Sequence, residues 1–192
     1  MTNLWHKIDS LDEKLSGKIR VDDQDSALFR AAALFARSGD SWFWCAVLFI
    51  LWLFASGERE RTLAWWGGSI AVTALLVFFL KRLIARTRPE GEWGGVYRKT
   101  DPYSFPSGHS VRAGLIVVLA ANTFHDPWVT AAFLLWAVLM MLGRVATGVH
   151  YFFDIIGGFI IGLLIGWGWM AIQPWFFSTF PWLFDKASWF RK

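Results

Sequence analysis

Apolar residues occur in five long runs that short polar segments separate. The runs cover residues 42–56, 63–80, 105–123, 128–142 and 155–172. Runs of this kind are typical of helices that cross a bilayer, which needs roughly 20 apolar residues. The pattern predicts an all-α, polytopic membrane helical bundle of about five spans, of which the first is short.

The segments on either side of these runs have a different pattern. Residues 26–37 are arranged as in an amphipathic helix, with Arg30 and Arg37 able to stay at lipid headgroups. The C-terminal segment is rich in aromatic residues and is predicted to lie on the membrane surface. We therefore divide the chain into an N-terminal interfacial segment (1–40), a membrane-embedded domain (41–173) and an aromatic interfacial tail (174–192).

The composition indicates a membrane protein. Hydrophobic residues make up 55% of the chain, with 14 Trp and 18 Phe, which is too apolar for a soluble domain of 192 residues. The formal net charge is only +4, and no polar basic stretch could form a groove, so no nucleic-acid partner is expected. The expected partners are the bilayer and a membrane lipid, and the sequence leaves the oligomeric state open.

Three polar stretches stand at the ends of the apolar runs. They comprise residues 81–88, 106–109 and 144–154. Counting the runs along the chain places all three stretches on the same side of the membrane, whether or not the first run crosses it. The three stretches are therefore expected to meet in one site.

The third stretch carries Arg144, His150 and Asp154. If the chain is helical there, His150 and Asp154 lie four residues apart on one face and can touch. A carboxylate beside one imidazole nitrogen fixes the tautomer and leaves the other nitrogen nucleophilic. Arg144 adds a permanent cation suited to an oxyanion. The alternative for the His–Asp pair is a structural hydrogen bond at a helix end.

The other two stretches supply cations and a helix N-terminus. Lys81 and Arg88 are seven residues apart, so two helical turns would point both at one place. Free amides at the start of the third helix form an anion site, where Ser107 adds a hydroxyl and Gly108 permits close approach. His109 can donate a proton to a leaving oxygen. An ordinary capped helix start is the alternative for this stretch.

Together these groups suit phosphoryl transfer. His150, oriented by Asp154, would attack phosphorus, and His109 would protonate the departing oxygen while the cations neutralise the other phosphate oxygens. A metal site is the competing interpretation, because both histidines and Asp154 are possible ligands. Three fixed cations would repel a divalent ion, so neither a metal nor another cofactor is predicted. Arg82 and Arg86 are instead predicted to be interfacial anchors that extend to headgroups.

The three stretches form an ordered pattern: Lys-x₆-Arg-Pro, then Pro-Ser-Gly-His, then Arg-x₅-His-x₃-Asp. This pattern resembles the signature of the type 2 phosphatidic acid phosphatase family, which is related to vanadium haloperoxidases and bacterial acid phosphatases. The resemblance covers about residues 41–172 and implies a helical bundle and metal-independent hydrolysis of a phosphate ester or anhydride. It implies a covalent phosphohistidine at His150, with His109 as the acid. The implied phosphate-binding residues are Lys81, Arg88, Ser107, Gly108 and Arg144.

One position departs from the family pattern. The residue before the arginine of the third stretch is usually Ser, and here it is Gly143. A hydroxyl that would bind phosphate is therefore expected to be missing.

Arg112 bears on the choice of substrate. It follows His109 by one helical turn, and a charge within a span is costly enough to suggest function. We predict that Arg112 binds the second phosphate of a diphosphate lipid such as a polyprenyl diphosphate, although an arginine that extends to the interface is the alternative. Phosphatidylglycerophosphate, phosphatidic acid and lipid A also fit the site.

Other functions and both membrane orientations remain open. The rival enzyme is a lipid phosphotransferase, and the non-enzymatic rival is a module that binds phosphorylated lipids. A haloperoxidase is less suited to a membrane-embedded site. We expect a multi-pass protein of the cell membrane. Members of the resembling family mostly face the bacterial exterior, whereas the excess of Lys and Arg on the catalytic side favours a cytoplasmic site.

Overall fold

The computed structural model describes residues 2–89, 101–184 and 186, with side chains from residue 7 onward. The all-α class is confirmed, since the described residues form α-helices and one short 3₁₀ helix (Pro181–Phe184) and contain no named strand. The α-helices are α1 (Thr2–Ile19), α2 (Ala27–Ser38), α3 (Ser41–Phe54), α4 (Glu58–Ile84), α5 (Gly108–Phe124), α6 (Pro127–Ala146) and α7 (Phe152–Thr179).

The five predicted apolar runs correspond to α3 through α7, but five separate spans are not confirmed. Of the described helices, α4, α6 and α7 are long and apolar enough to cross a membrane. α2 and α3 meet at a bend of 57° and together make at most a fourth span. α5 has only 17 residues. A short central helix suffices here because other helices, rather than lipid, surround it.

α5 is the core of the bundle. Its side chains from Ser110 to Ala120 are all buried, and it packs against α4, α6 and α7. A Cβ added at Gly162 would lie only 2.0 Å from the Val111 carbonyl oxygen, and one at Gly114 would lie 2.4 Å from that of Phe159. Glycine at these two positions therefore allows the backbones of α5 and α7 to touch.

The first two helices pack against the rest of the bundle at one end. α2 packs against α6 and buries Phe29 and Ala36, while Leu28 and Leu34 stay exposed. α1 contacts the start of α7: the backbone amide of Phe152 donates to Ser16 Oγ at 2.9 Å. The interfacial placement of residues 1–40 remains a prediction, now with one side of this segment in contact with the helices that carry the third polar stretch.

The described part of the C-terminal segment contacts the other end of the bundle. Lys186 Nζ donates to the carbonyl oxygens of Trp52, Leu53 and Ala55, where α3 ends. α1 and Lys186 therefore lie at opposite ends of the helices.

Candidate active site

The three polar stretches converge on one cavity of about 280 Å³. It lies between α4, the first turn of α5 and the junction of α6 with α7. The charged or titratable side chains that line it are Lys81, Arg88, Asp101, His109, Arg112, Arg144 and His150. The convergence expected from the order of the polar stretches is thus present in the structure.

His150 lies in the turn between α6 and α7 rather than in a helix. Gly148 has a left-handed backbone (φ 68°), and the amides of Val149 and His150 donate back to the Arg144 carbonyl oxygen. The imidazole is 1% exposed, with Nε2 3.1 Å from Arg88 Nη1. Because an arginine can only donate, Nε2 accepts, and a neutral ring then carries its proton on Nδ1.

Nδ1 of His150 faces Asp154, although at a longer distance than predicted. The separation from Asp154 Oδ2 is 3.5 Å, which is an ion-pair distance, and Nδ1 has no hydrogen-bond partner among the described residues. The Asp154 carboxylate is fully buried and accepts from the Tyr151 amide at 2.9 Å. Asp154 therefore caps the start of α7 and faces the nucleophile candidate with the same group.

The prediction that Arg86 extends to lipid headgroups is wrong. Nη1 of Arg86 donates to Asp154 Oδ1 at 2.7 Å and its Nη2 to Asp12 Oδ2 at 2.8 Å. Burial lowers the pKa of Arg86, but the carboxylates of Asp154 and Asp12 outweigh burial and raise it above its ordinary value. Asp12 also accepts from the Phe153 amide, so Arg86 joins α1 to the start of α7.

Lys81 and Arg88 both line the cavity, but the backbone between them is not the two helical turns that we predicted. α4 ends at Ile84, Ala85 is left-handed (φ 53°), and the extended chain after it forms a bridge at Thr87. On an extended chain successive side chains point to opposite sides, so Arg86 and Arg88, two residues apart, point to the same side. Arg82 precedes this segment and belongs to α4. Arg82 is exposed and donates to the Phe78 carbonyl oxygen, and its role as an anchor stays a prediction.

Asp101 stands between the first two cations and was missed in the sequence. Its Oδ2 accepts from Lys81 Nζ at 2.5 Å and from Arg88 Nη2 at 2.7 Å. A carboxylate held by two cations shows that this end of the cavity attracts oxyanions. The local sequence pattern does not indicate a role for Asp101, because its partner Lys81 lies 20 residues away along the chain.

The helix start at residues 106–109 contributes in part. Gly108 and His109 line the cavity, whereas Ser107 does not. Ser107 is buried and its Oγ accepts from the Ser110 amide as the N-cap of α5. His109 Nε2 lies 2.7 Å from Asp40 Oδ1, a partner at the bend between α2 and α3 that the motifs do not include.

Arg112 and Arg144 both line the cavity. Arg144 is 2% exposed and lies in the last turn of α6. Arg112 donates to the Gly39 carbonyl oxygen and to Ser41 Oγ, which are residues of the α2–α3 bend. Arg112, which we predicted to bind an anion, therefore also connects α5 to that bend through hydrogen bonds.

The charges around His150 favour its neutral form. Burial, followed by the nearby cations Arg144, Arg88 and Lys81, holds the pKa of His150 well below its usual range. A pKa lowered in this way leaves the imidazole unprotonated near neutral pH, with the Nε2 lone pair directed towards Arg88. Within the described ranges, no group of three or more His, Cys, Asp or Glu side chains could hold a metal ion.

His150 also lines a second cavity. This cavity, of about 610 Å³, lies between α1 and the α6–α7 junction, and Arg88, Tyr151 and Arg20 are among its lining residues. The imidazole thus stands between a cavity with an apolar wall and one with more polar surroundings.

These features define a multi-pass membrane protein with a cationic cavity at one end of its helices. The chain belongs to the PAP2 superfamily, whose family model matches residues 62–178. The resemblance drawn from the three motifs is thereby confirmed.

Several similar proteins are named as lipid phosphatases. The chain is 33% identical over 112 residues to a lipid A 1-phosphatase of Rhizobium etli and 34% identical over 100 residues to phosphatidylglycerophosphatase B of Bacillus subtilis. These matches cover 54% and 47% of this chain, and only 45% and 48% of the relatives. An undecaprenyl-diphosphatase of Sulfolobus acidocaldarius is 27% identical over 66% of this chain and 62% of its own length.

Solved structures share the fold. The crystal structure of a transmembrane PAP2 type phosphatidylglycerolphosphate phosphatase from Bacillus subtilis superposes with a TM-score of 0.70 and 25% identity, covering 88% of this chain and 87% of that one. The crystal structure of Aquifex aeolicus LpxE gives a TM-score of 0.66 at 23% identity, covering 84% and 95% of the two chains.

The hydroxyl that the family pattern has before Arg144 is absent at Gly143, and the packing leaves no room for a side chain there. A Cβ at residue 143 would lie 2.5 Å from the Ala32 carbonyl oxygen, because α6 and α2 touch there. We expect Gly143→Ser to destabilise the fold by about 1–3 kcal/mol through overpacking, without tighter phosphate binding. Thermal unfolding in detergent measures the change, and Gly168→Ser, at a glycine with open space around it, is the matched control. Unchanged stability with tighter phosphate binding would contradict this expectation.

Removal of the Arg86 side chain tests its role in joining α1 to α7. Arg86→Ala leaves the two buried carboxylates of Asp12 and Asp154 without this partner, so we expect a loss of about 3 kcal/mol in unfolding free energy. Arg82→Ala, at an exposed position on the preceding turn, should change stability by less than about 0.5 kcal/mol. Equal melting temperatures for the two variants would instead support a headgroup anchor at Arg86.

Proposed function

We propose that the protein is an integral membrane phosphatase that hydrolyses the phosphate monoester or diphosphate of a membrane lipid. The observation that carries the proposal is the composition of the first cavity. At one end it presents Lys81, Arg88 and Arg144 beside His150, and along one side α4 presents the apolar side chains of Ile70, Ala74, Val77 and Phe78. A phosphate group fits the first part and a lipid chain the second.

The names of the similar proteins support this class of substrate. They act, by name, on lipid A, phosphatidylglycerophosphate and undecaprenyl diphosphate. All are phosphorylated lipids, which agrees with a cavity that joins a cationic end to an apolar wall. We accordingly place the protein in the cell membrane, with α1 and its lysines on the side of the site.

The first chemical step follows from the positions of the two histidines. Nε2 of His150 attacks phosphorus as the P–O bond to the lipid breaks, and the leaving oxygen takes a proton from His109. Asp154 stabilises the Nδ1 proton of His150, while Lys81, Arg88 and the neighbouring Arg144 bind the remaining phosphate oxygens.

The second step restores the enzyme. Water attacks the phosphohistidine, His109 accepts the proton of that water, and inorganic phosphate leaves while His150 regains its neutral form. The second cavity, which also reaches His150, offers water a path separate from the lipid. No step in this scheme requires a metal ion.

Polyprenyl diphosphate is the substrate that we favour. Arg112 lines the cavity one turn beyond His109, where its guanidinium could contact a second phosphate. Phosphatidylglycerophosphate and phosphatidic acid are the alternative substrates, and transfer of the phosphoryl group to a second lipid is the alternative reaction.

Phosphate release from purified lipids tests the proposed reaction. We expect His150→Ala to abolish release and His109→Ala to lower it by about 10²–10⁴-fold, since a nucleophile and a general acid are lost in turn. His125→Asn, at the far end of α5, should keep wild-type activity. A chelator should have no effect. A phosphorylated lipid product in place of free phosphate would favour the transferase, and full activity of His150→Ala would refute the covalent mechanism.

Arg112→Gln tests the choice of a diphosphate. A charged hydrogen bond to a second phosphate is worth about 1.5–3 kcal/mol, so turnover of a polyprenyl diphosphate should fall about 10- to 100-fold more than that of the polyprenyl monophosphate. Parallel kcat/KM measurements on the two lipids give this ratio. Equal losses would assign Arg112 to holding the α2–α3 bend alone.

A further inference from the structure

We propose that Asp40, at the bend between α2 and α3, is a positioning residue that orients His109 and supports its protonated form during departure of the leaving group. The inference rests on the proposed phosphatase function and adds a residue to its site. Asp40 lies outside residues 62–178, the segment that matches the superfamily, and belongs to none of the three motifs.

The contact between the two side chains is short and directional. Asp40 Oδ1 lies 2.7 Å from His109 Nε2, and the side chains are 23% and 14% exposed. An ionised carboxylate only accepts, so Nε2 of His109 carries a proton that points at Asp40. The remaining nitrogen, Nδ1, is then the one that can exchange a proton with substrate.

The orientation of the ring agrees with this assignment. A Cβ added at Gly39 would lie 3.0 Å from Cδ2 of His109, so the Cδ2–Nε2 edge of the imidazole faces the bend. Nδ1 lies on the opposite edge of the ring, away from the bend, in a residue that lines the cavity. Glycine at position 39 leaves room for this arrangement.

Asp40 does not perform the ordinary task of a residue in its place. It is the N-cap of α3, where an aspartate usually accepts a backbone amide of the first turn, yet its side chain makes no capping hydrogen bond. The carboxylate is turned to His109 instead. Its position at a helix N-terminus still favours the ionised form.

Cations surround the contact between Asp40 and His109. Arg112 and Arg144 line the same cavity as His109, and Asp40 is the carboxylate in contact with the ring. Cations that would bind phosphate disfavour a protonated acid beside them, and a carboxylate in contact with the ring favours it.

The bend is held in position from several sides. Arg112 donates to residues 39 and 41 on either side of Asp40, and Trp136 Nε1 donates to Ser38 Oγ at 2.9 Å. Because α5 and α6 both contact the bend, the carboxylate is fixed relative to the ring that it orients.

As Nε2 of His150 bonds to phosphorus, the electrons of the breaking P–O bond pass to the leaving oxygen, which takes the proton from Nδ1 of His109. His109 becomes neutral, and its Nε2 keeps the proton that it donates to Asp40. In hydrolysis of the phosphohistidine, Nδ1 accepts a proton from water and the protonated pair is restored.

The test compares two leaving groups in the Asp40→Asn variant, which keeps the shape of the side chain and removes its charge. An alkyl lipid phosphate needs protonation of its leaving oxygen, whereas p-nitrophenyl phosphate does not. We expect kcat/KM, which reports the steps up to phosphorylation of His150 and leaves out the later hydrolysis, to fall by about 10²-fold for the lipid and by less than about threefold for the aryl phosphate.

Two further variants make the comparison specific. His109→Gln should reproduce the dependence on the leaving group, because it removes the acid itself. Asp126→Asn, at the N-cap of α6 on the other end of the bundle, should leave the ratio of the two rates unchanged. An equal loss on both substrates, or no loss on either, would overturn the inference.

A second measurement separates this inference from the proposed function. If the wild-type protein releases phosphate from neither substrate, the proposed function fails, and NMR of the His109 side chain decides the inference alone. We expect Asp40→Asn to move the protonation midpoint of His109 to lower pH, because the variant removes the negative charge. An unchanged midpoint would overturn the proposed role of Asp40.

Discussion

Charge pairing inside an apolar helical bundle is the constraint on which the rest of the structure depends. An ionised group buried without a partner is so costly that it needs an opposite charge or hydrogen-bond acceptors around it. Arg86 forms ion pairs with both Asp12 and Asp154, and Asp101 forms ion pairs with both Lys81 and Arg88. These pairs join α1, the chain after α4 and the start of α7, so the contacts that stabilise the bundle also position the site.

The same cations have two effects on the candidate nucleophile. Arg88 and Arg144 provide the positive charge that a phosphate group would need, and they add to the burial that holds the pKa of His150 below its usual range. A neutral imidazole is the form with a free lone pair. Phosphate attraction and an unprotonated nucleophile therefore arise from one arrangement. For a proton donor the same charges are a disadvantage, which gives the carboxylate beside His109 its significance.

The segment that matches the superfamily does not contain every contact to the site. Residues 62–178 carry the three motifs. Asp12 on α1 and Asp40 at the α2–α3 bend come from the first 61 residues, and each contacts a residue of the motif region through a short hydrogen bond. The N-terminal helices of this protein are thus structurally part of the cavity's surroundings.

The sequence by itself determined the apolar helices α3 to α7 and the convergence of the motifs, because the length of an apolar run and the order of polar stretches are properties of the chain. It could not determine the partners of Arg86, since Asp12 lies 74 residues away and helical periodicity does not say which helices pack together. Gly143 shows the same limit: its position suggested a lost hydroxyl, and only the contact of α6 with α2 showed that a side chain has no room there. Pairings between distant segments, and the space left between their backbones, were decided by tertiary packing.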